Sequence, residues 1–153
     1  MKIRYSKEYN YEFEELYSLV KKLDSLFVPP LSERVDLQEY VKKIDNKGSL
    51  ELAYSNEEKL IGTIAYYNND LINRFAYITY LGVLPEFQGN GIAKRLIKRC
   101  IKHCEENGME QVGIETWEKN TPVIQLYKKF DFELKNIKSD RKNINSVKLI
   151  KEL

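Results

Sequence analysis

Cysteine and histidine are scarce in this sequence: Cys100, Cys104 and the single histidine, His103, are all there is in 153 residues. Two thiols make no disulfide framework, and a bridge between helical i and i+4 positions would be strained. Three candidate ligands fall short of the four that a structural zinc site uses. The expectation is therefore no metal, two buried thiols and a surface imidazole. Long apolar runs are missing too. None approaches the roughly 20 residues that cross a bilayer, and the opening Met1-Lys2-Ile3-Arg4-Tyr5 lacks the apolar core of a secretion signal. These absences predict a cytoplasmic protein with no membrane partner. Nor is there an excess of one charge: 25 basic residues stand against 23 acidic ones, a net of +2. That balance gives no long-range attraction for nucleic acid or an anionic surface.

What is present reads as one globular domain, residues 1–153. The composition is 42% hydrophobic and 31% charged, and a chain of this length buries roughly 70% of its unfolded surface. Eleven tyrosines stand out, although half-buried strand positions favour that residue. Residues 1–6 read as a strand. Across 11–27, Phe13, Leu16, Tyr17, Val20 and Leu23 recur at helical steps, and Pro29-Pro30 stops the helix. A second helix is capped by Asp36 with Glu39 in a capping box, and Leu37, Tyr40, Val41 and Ile44 form its inner stripe. Asn46-Lys47-Gly48 ends it.

The pattern then changes to strands. Leu50, Leu52 and Tyr54 alternate with Glu51 and Ala53, and runs over 60–67 and 75–84 follow short turns, which predicts antiparallel neighbours. A helix over 91–106 turns Ala93, Leu96, Ile97, Cys100, Ile101 and Cys104 inward and ends on Asn107-Gly108. A strand over 111–117 leads to a short helix with Thr121 as cap and Pro122 first. Strands over 132–137 and 144–150 flank a polar turn at 139–142. The order β-α-α-β-β-β-α-β-α-β-β defines a mixed α/β (α+β) domain of about seven strands and about four helices.

The most informative stretch runs strand, turn, helix: Tyr80-Leu81-Gly82-Val83-Leu84-Pro85-Glu86-Phe87-Gln88-Gly89-Asn90-Gly91-Ile92-Ala93-Lys94. Glycines let backbone approach a ligand, and a helix N-terminus offers unpaired N–H groups and partial positive charge, which is the physics of a phosphate cradle. A dinucleotide fingerprint would need a small residue where Lys94 stands and a parallel βαβ unit. A triphosphate loop would need Gly-Lys-Ser/Thr, which is absent. Gln88-x-x-Gly91-x-Ala93 instead resembles the acetyl-CoA motif of the GNAT superfamily of N-acetyltransferases. A second stretch strengthens the likeness. Asn120-Thr121-Pro122-Val123-Ile124-Gln125-Leu126-Tyr127-Lys128-Lys129-Phe130-Asp131-Phe132 is similar to that family's Asn-x-x-Ala-x-x-Leu-Tyr-x-x-x-Gly-Phe segment. Val123 replaces the usual alanine. Asp131 replaces a glycine that often has positive φ, a conformation Asp tolerates better than most residues.

The resemblance implies a GNAT-like fold with a mostly antiparallel mixed sheet whose fourth and fifth strands splay apart. It implies acetyl-CoA as co-substrate and no metal. The backbone of Leu81 and Val83 would then hydrogen-bond the pantetheine arm, and amides of Gln88, Gly89, Asn90, Gly91, Ile92, Ala93 and Lys94 would hold the pyrophosphate. Asn120 would contact the arm, and Lys94 and Arg95 would add charge near phosphate. Acyl transfer needs an ammonium deprotonated, an oxyanion stabilised and a thiolate protonated. By resemblance the oxyanion donor is the N–H near Leu81 and the acid is Tyr127, a phenol whose ordinary pKa of about 10 suits a thiolate leaving group. Glu115, on the strand over 111–117, resembles the base of the subgroup that acetylates protein N-termini. Burial would raise its pKa, and a water is the alternative base. Tyr77 and Thr79 lie where other members carry one, but neither is a good base at neutral pH.

The acceptor is left as a small-molecule amine or a peptide N-terminus. The stretch 27–34 lies where relatives build the acceptor side, with Tyr66, Tyr67 and Trp117 as further wall residues. The competing reading is a catalytically silent protein that senses acetyl-CoA or binds a partner. The sequence leaves the oligomeric state open; relatives are often dimers, so a homodimer stands as an analogy only.

Overall fold

The computed structural model describes residues 1–139 and 145–153. The elements in chain order are β1 (Lys2–Tyr5), α1 (Phe13–Asp24), α2 (Leu37–Lys47), β2 (Ser49–Tyr54), β3 (Leu60–Tyr67), β4 (Phe75–Val83), α3 (Ile92–Glu106), β5 (Gln111–Trp117), α4 (Thr121–Lys128), β6 (Glu133–Ser139) and β7 (Asn145–Glu152). Short 3-10 turns occur at Leu31–Glu33 and Pro85–Phe87. Hydrogen bonding orders the sheet β1-β2-β3-β4-β5-β7-β6. The pairs β1–β2, β2–β3, β5–β7 and β6–β7 are antiparallel, whereas β4 and β5 are parallel. This is the mixed sheet that the element order predicts. The polar turn expected at 139–142 and the start of the last strand at Ile144 lie outside the described residues, apart from Ser139.

The chain clusters into two compact units. The first comprises Met1–Tyr67 and Tyr80–Cys100. Here α1 buries Leu16, Leu19, Val20 and Leu23, with acidic Glu14 and Glu15 in its first turn and basic Lys21 and Lys22 in its last. Each such burial stabilises by about 1.5–3 kcal/mol, and the charge order suits the helix dipole. The helix ends at Asp24, earlier than the proline pair predicts. Leu26 and Phe27 donate to Leu23 and Asp24 in tight i to i−3 bonds. The Asp24 carboxylate takes the Ser32 amide at 3.1 Å and the Ser32 hydroxyl, which turns the chain back. Asp36 caps α2 as expected, accepting from the Glu39 amide at 3.0 Å.

The alternation in β2 does not mark a wet face. All six of its residues are buried, Glu51 as completely as Leu52. With β1 on one side and β3 on the other, β2 is an inner strand, and its polar member is hydrogen-bonded rather than solvated.

The second unit comprises Asn68–Thr79 and Ile101–Leu153. The β4–β5 ladder runs from Phe75↔Gln111 to Ile78↔Ile114; beyond it β4 continues to Val83 and β5 to Trp117. Helix α3 ends in a double turn: Gly108, at φ 79, donates to Glu105, and Met109 donates to Cys104. This is the glycine cap that Asn107-Gly108 predicts. His103 is buried rather than on the surface, because α3 is covered over an arc wider than the stripe of Cys100, Ile101 and Cys104. Both cysteines are buried thiols, with no disulfide among the described residues. The cap of α4 is Asn120 instead of Thr121, since the Asn120 carbonyl already accepts from Ile124 at 3.0 Å. No helix of the described residues is long and apolar enough to cross a membrane. Among the same residues no group of three or more His, Cys, Asp or Glu could hold a metal ion.

Candidate active site

In the first unit, β4 passes through Leu81 and Val83 into the 3-10 turn Pro85–Phe87 and then the glycine turn. Gly89 has φ 84 and Gly91 φ 76, a region that costs an L-residue about 1–2 kcal/mol. A Cβ added at either would meet nothing within 4 Å. Glycine is needed there for backbone conformation, and the space beside it is open for a ligand to approach. Side chains brace the turn from inside. Gln88 Nε2 donates to the Val83 carbonyl at 2.9 Å, and Asn90 Nδ2 donates to the Phe87 carbonyl at 3.1 Å. The first intrahelical bond of α3 is Arg95 N–H to Gly91 O at 3.1 Å. The amides of Ile92, Ala93 and Lys94 therefore precede the helical ladder and point out of its N-terminus, where an anion is favoured. Gln88, Gly89, Asn90, Gly91 and Lys94 are exposed, as is Arg95.

The other expected residues lie in the second unit. Tyr127, on α4, is 2% exposed, with its ring edge-on to Phe132 at 5.1 Å. Its carbonyl accepts from both Phe130 and Phe132, and the turn closes through Asp131 at φ 68. The positive φ expected at the glycine-replacing aspartate is thus present. Asn120 Nδ2 donates to Thr116 Oγ1 at 3.1 Å, fastening the start of α4 to β5.

Glu115 is exposed, so the burial that the sequence reading asked of it is absent. It pairs across the sheet with Lys148, whose ammonium sits 5.2 Å from the Phe75 ring centroid. Strand alternation sends Glu115 to the face opposite Thr116. Phe75 in turn lies over Gly113, where an added Cβ would come within 2.5 Å of the Phe75 Cζ.

Of the expected wall residues, Tyr66 is not one. It is fully buried, and its hydroxyl donates to Glu51 Oε2 at 2.5 Å. Burial first, then the Glu51 charge, pushes its pKa far up. Tyr67 and Trp117 are half-buried. Sequence reasoning missed the rest of this cluster: Arg99 Nε, on α3, lies 3.4 Å from Glu51 Oε1. The available signal was one carboxylate inside the apolar run of 50–54. It also missed Tyr80, a buried phenol on β4.

A strand leading through a left-handed glycine turn into a helix N-terminus with open space beside it, within this mixed sheet, presents a place for an anion such as phosphate. The sequence model of the acetyltransferase (GNAT) family matches residues 13–132. The chain belongs to that family. Solved structures agree on the fold. A GNAT family acetyltransferase from Elizabethkingia anophelis with acetyl-CoA bound is 22% identical, with TM-score 0.76, over 99% of this chain and 97% of that one. A Bacillus subtilis acetyltransferase in complex with CoA is 21% identical, with TM-score 0.76, over 99% and 98%. Arabidopsis thaliana NAA60 in complex with a bisubstrate analogue is 18% identical, with TM-score 0.72, over 99% and 98%.

Proposed function

We propose that this chain transfers the acetyl group of acetyl-CoA to a primary amine, of a small molecule or a peptide N-terminus, by direct attack. The observation that carries the reading is the glycine turn, with positive φ at Gly89 and Gly91, open space beside both, and the amides of Ile92, Ala93 and Lys94 ahead of the helical ladder. The pyrophosphate takes those amides together with the turn from Gln88 to Gly91. The pantetheine arm lies along the backbone of Leu81 and Val83, with Asn120 as a further contact. Gln88, whose side chain holds the Val83 carbonyl, acts by bracing the cradle.

The neutral amine attacks the thioester carbonyl carbon. A C–N bond forms, the carbonyl oxygen becomes an oxyanion held by the N–H at Leu81, the adduct nitrogen gives its extra proton to solvent, and collapse of the adduct breaks the C–S bond. The Tyr127 hydroxyl gives its proton to the departing thiolate and is reprotonated from solvent. Glu115, exposed on β5, or a water takes the ammonium proton. General acid catalysis contributes about 10²–10⁴-fold.

A panel of amino sugars, amino acid amides, polyamines and short peptides, assayed for amine-dependent CoA release, tests the reading. Tyr127→Phe should lower kcat about 100-fold with the KM for acetyl-CoA unchanged, and Glu115→Gln should lower the rate mainly on the acid side of the pH profile. Unchanged turnover in both variants refutes the assignment. Tight CoA binding without turnover on any amine would favour a sensor instead.

A further inference from the structure

Tyr80 is a buried polar group that the chemistry above leaves unused. It is 4% exposed, and among the described residues its hydroxyl has no hydrogen-bond partner. Buried phenols ordinarily find one, because a hydroxyl taken out of water and left unpaired is destabilising. Phenylalanine would fill the same volume without that cost, so the retained hydroxyl points to a partner that arrives. Burial pushes the Tyr80 pKa up, which keeps the group a neutral donor.

The surroundings describe that partner. The Tyr80 ring stacks on Phe27 at 5.1 Å and 18°. Its hydroxyl lies over Gly82, where an added Cβ would come within 3.2 Å of it and 2.7 Å of Leu23 Cδ1. Half-buried Phe27 belongs to the irregular segment after α1, between Leu26 and Val28, which are 55% and 59% exposed. Val35, beyond the following 3-10 turn, is 39% exposed. Phe27 thus covers one face of the Tyr80 ring and is flanked in sequence by two exposed apolar side chains. Leu26 and Val28 beside it offer an apolar body a seat; Asp24 at the end of α1 is engaged by Ser32, and the exposed Glu33 lies further along, in the 3-10 turn. Tyr80 also directly precedes Leu81, the residue whose N–H receives the oxyanion in the function proposed above.

We propose that the acceptor is a primary amine carried on an apolar or aromatic group. That group displaces the Phe27 ring and packs against Leu26 and Val28, while a polar atom next to the amine accepts a hydrogen bond from Tyr80. The inference rests on the acetyl-transfer reading and narrows its acceptor. Steady-state CoA release by the wild-type chain and Tyr80→Phe, with phenylalaninamide, glucosamine and spermidine as acceptors, tests it. Wild type should prefer phenylalaninamide to spermidine by tenfold or more in kcat/KM. Tyr80→Phe should raise the phenylalaninamide KM roughly fivefold to tenfold, leave the acetyl-CoA KM unchanged, and show no loss of thermal stability. Val28→Asp, at an exposed position, should weaken phenylalaninamide and not acetyl-CoA. An unchanged phenylalaninamide KM in Tyr80→Phe, or spermidine used as well as phenylalaninamide, overturns the inference and leaves acetyl transfer standing. No CoA release with any of the three amines refutes the acetyl-transfer reading beneath it.

Discussion

Replacing Gly91 by alanine and by asparagine separates the two reasons a glycine can be required in the cradle. At φ 76 an alanine pays the left-handed penalty of about 1–2 kcal/mol. No steric cost is added, because a new Cβ meets nothing within 4 Å. In a domain of this size that corresponds to a fall in Tm of about 2–8 °C. Asparagine tolerates the same region better, so Gly91→Asn should lose less stability than Gly91→Ala, although its side chain is larger. CoA binding should rank the other way. In the proposed function the pyrophosphate approaches through the open space beside Gly91, and there the bulkier asparagine obstructs it more. Turning one amide away from a charged oxygen costs about 1.5–3 kcal/mol, roughly tenfold to a hundredfold in Kd. Thermal denaturation and calorimetric titration with CoA read the two effects apart. If asparagine destabilises more than alanine, conformational strain is not why glycine stands here. If both variants bind CoA like wild type, the turn is not the cradle.

Arg99→Met should destabilise by about 3 kcal/mol in chemical denaturation, since it takes the guanidinium from a Glu51 carboxylate that is 0% exposed; the low end of the range for broken buried pairs applies because Arg99 is 38% exposed and the Tyr66 bond to Glu51 is kept. Glu51→Gln, which keeps the shape and a partner for Tyr66, should cost less than Arg99→Met, and the reverse order would refute the ion-pair account. Gly113→Ala drives a Cβ to within 2.5 Å of the Phe75 ring and should cost about 1–3 kcal/mol by overpacking, measurable as a lower denaturation midpoint. Asp70 accepts from the Asn73 amide and side chain and from the Ile72 amide, and these bonds, Asn73's first, lower its pKa. A lowered folded pKa adds stability that is complete above the unfolded value and lost as pH falls through the folded one. The stability of Asp70→Asn should therefore fall less steeply than that of wild type between about pH 5 and pH 3, in acid titrations followed by circular dichroism.

How much of this was legible in the sequence follows from how far apart the partners lie along it. The glycine turn is built from contacts between near neighbours: Gln88 with Val83, Asn90 with Phe87, Arg95 with Gly91. A local pattern carries that information, so the sequence places the turn and the helix that follows it. The same holds for the Asp36 cap, the Gly108 terminus and the left-handed Asp131. Helix ends set by a more distant partner were misplaced. Asp24 ends α1 by reaching Ser32, and the proline pair that seemed decisive lies beyond it.

The buried polar groups show the limit of that reading. Glu51 meets Tyr66 and Arg99 at separations of 15 and 48 residues, so nothing in 50–54 announces that its carboxylate is inside. Alternating polar and apolar residues ordinarily mark a strand with one wet face. The inference fails for β2 because strands flank it on both edges and its polar side chain finds an ion pair. A charged residue in an apolar run thus has two readings that only distant partners separate. Tyr80 is the complementary case: its burial follows from α1 and Phe27, and its missing partner shows only once those neighbours are placed. The backbone of the proposed phosphate cradle is written locally because its conformation is set by near neighbours. Specificity is written in long-range packing, so the acceptor had to be sought in the fold.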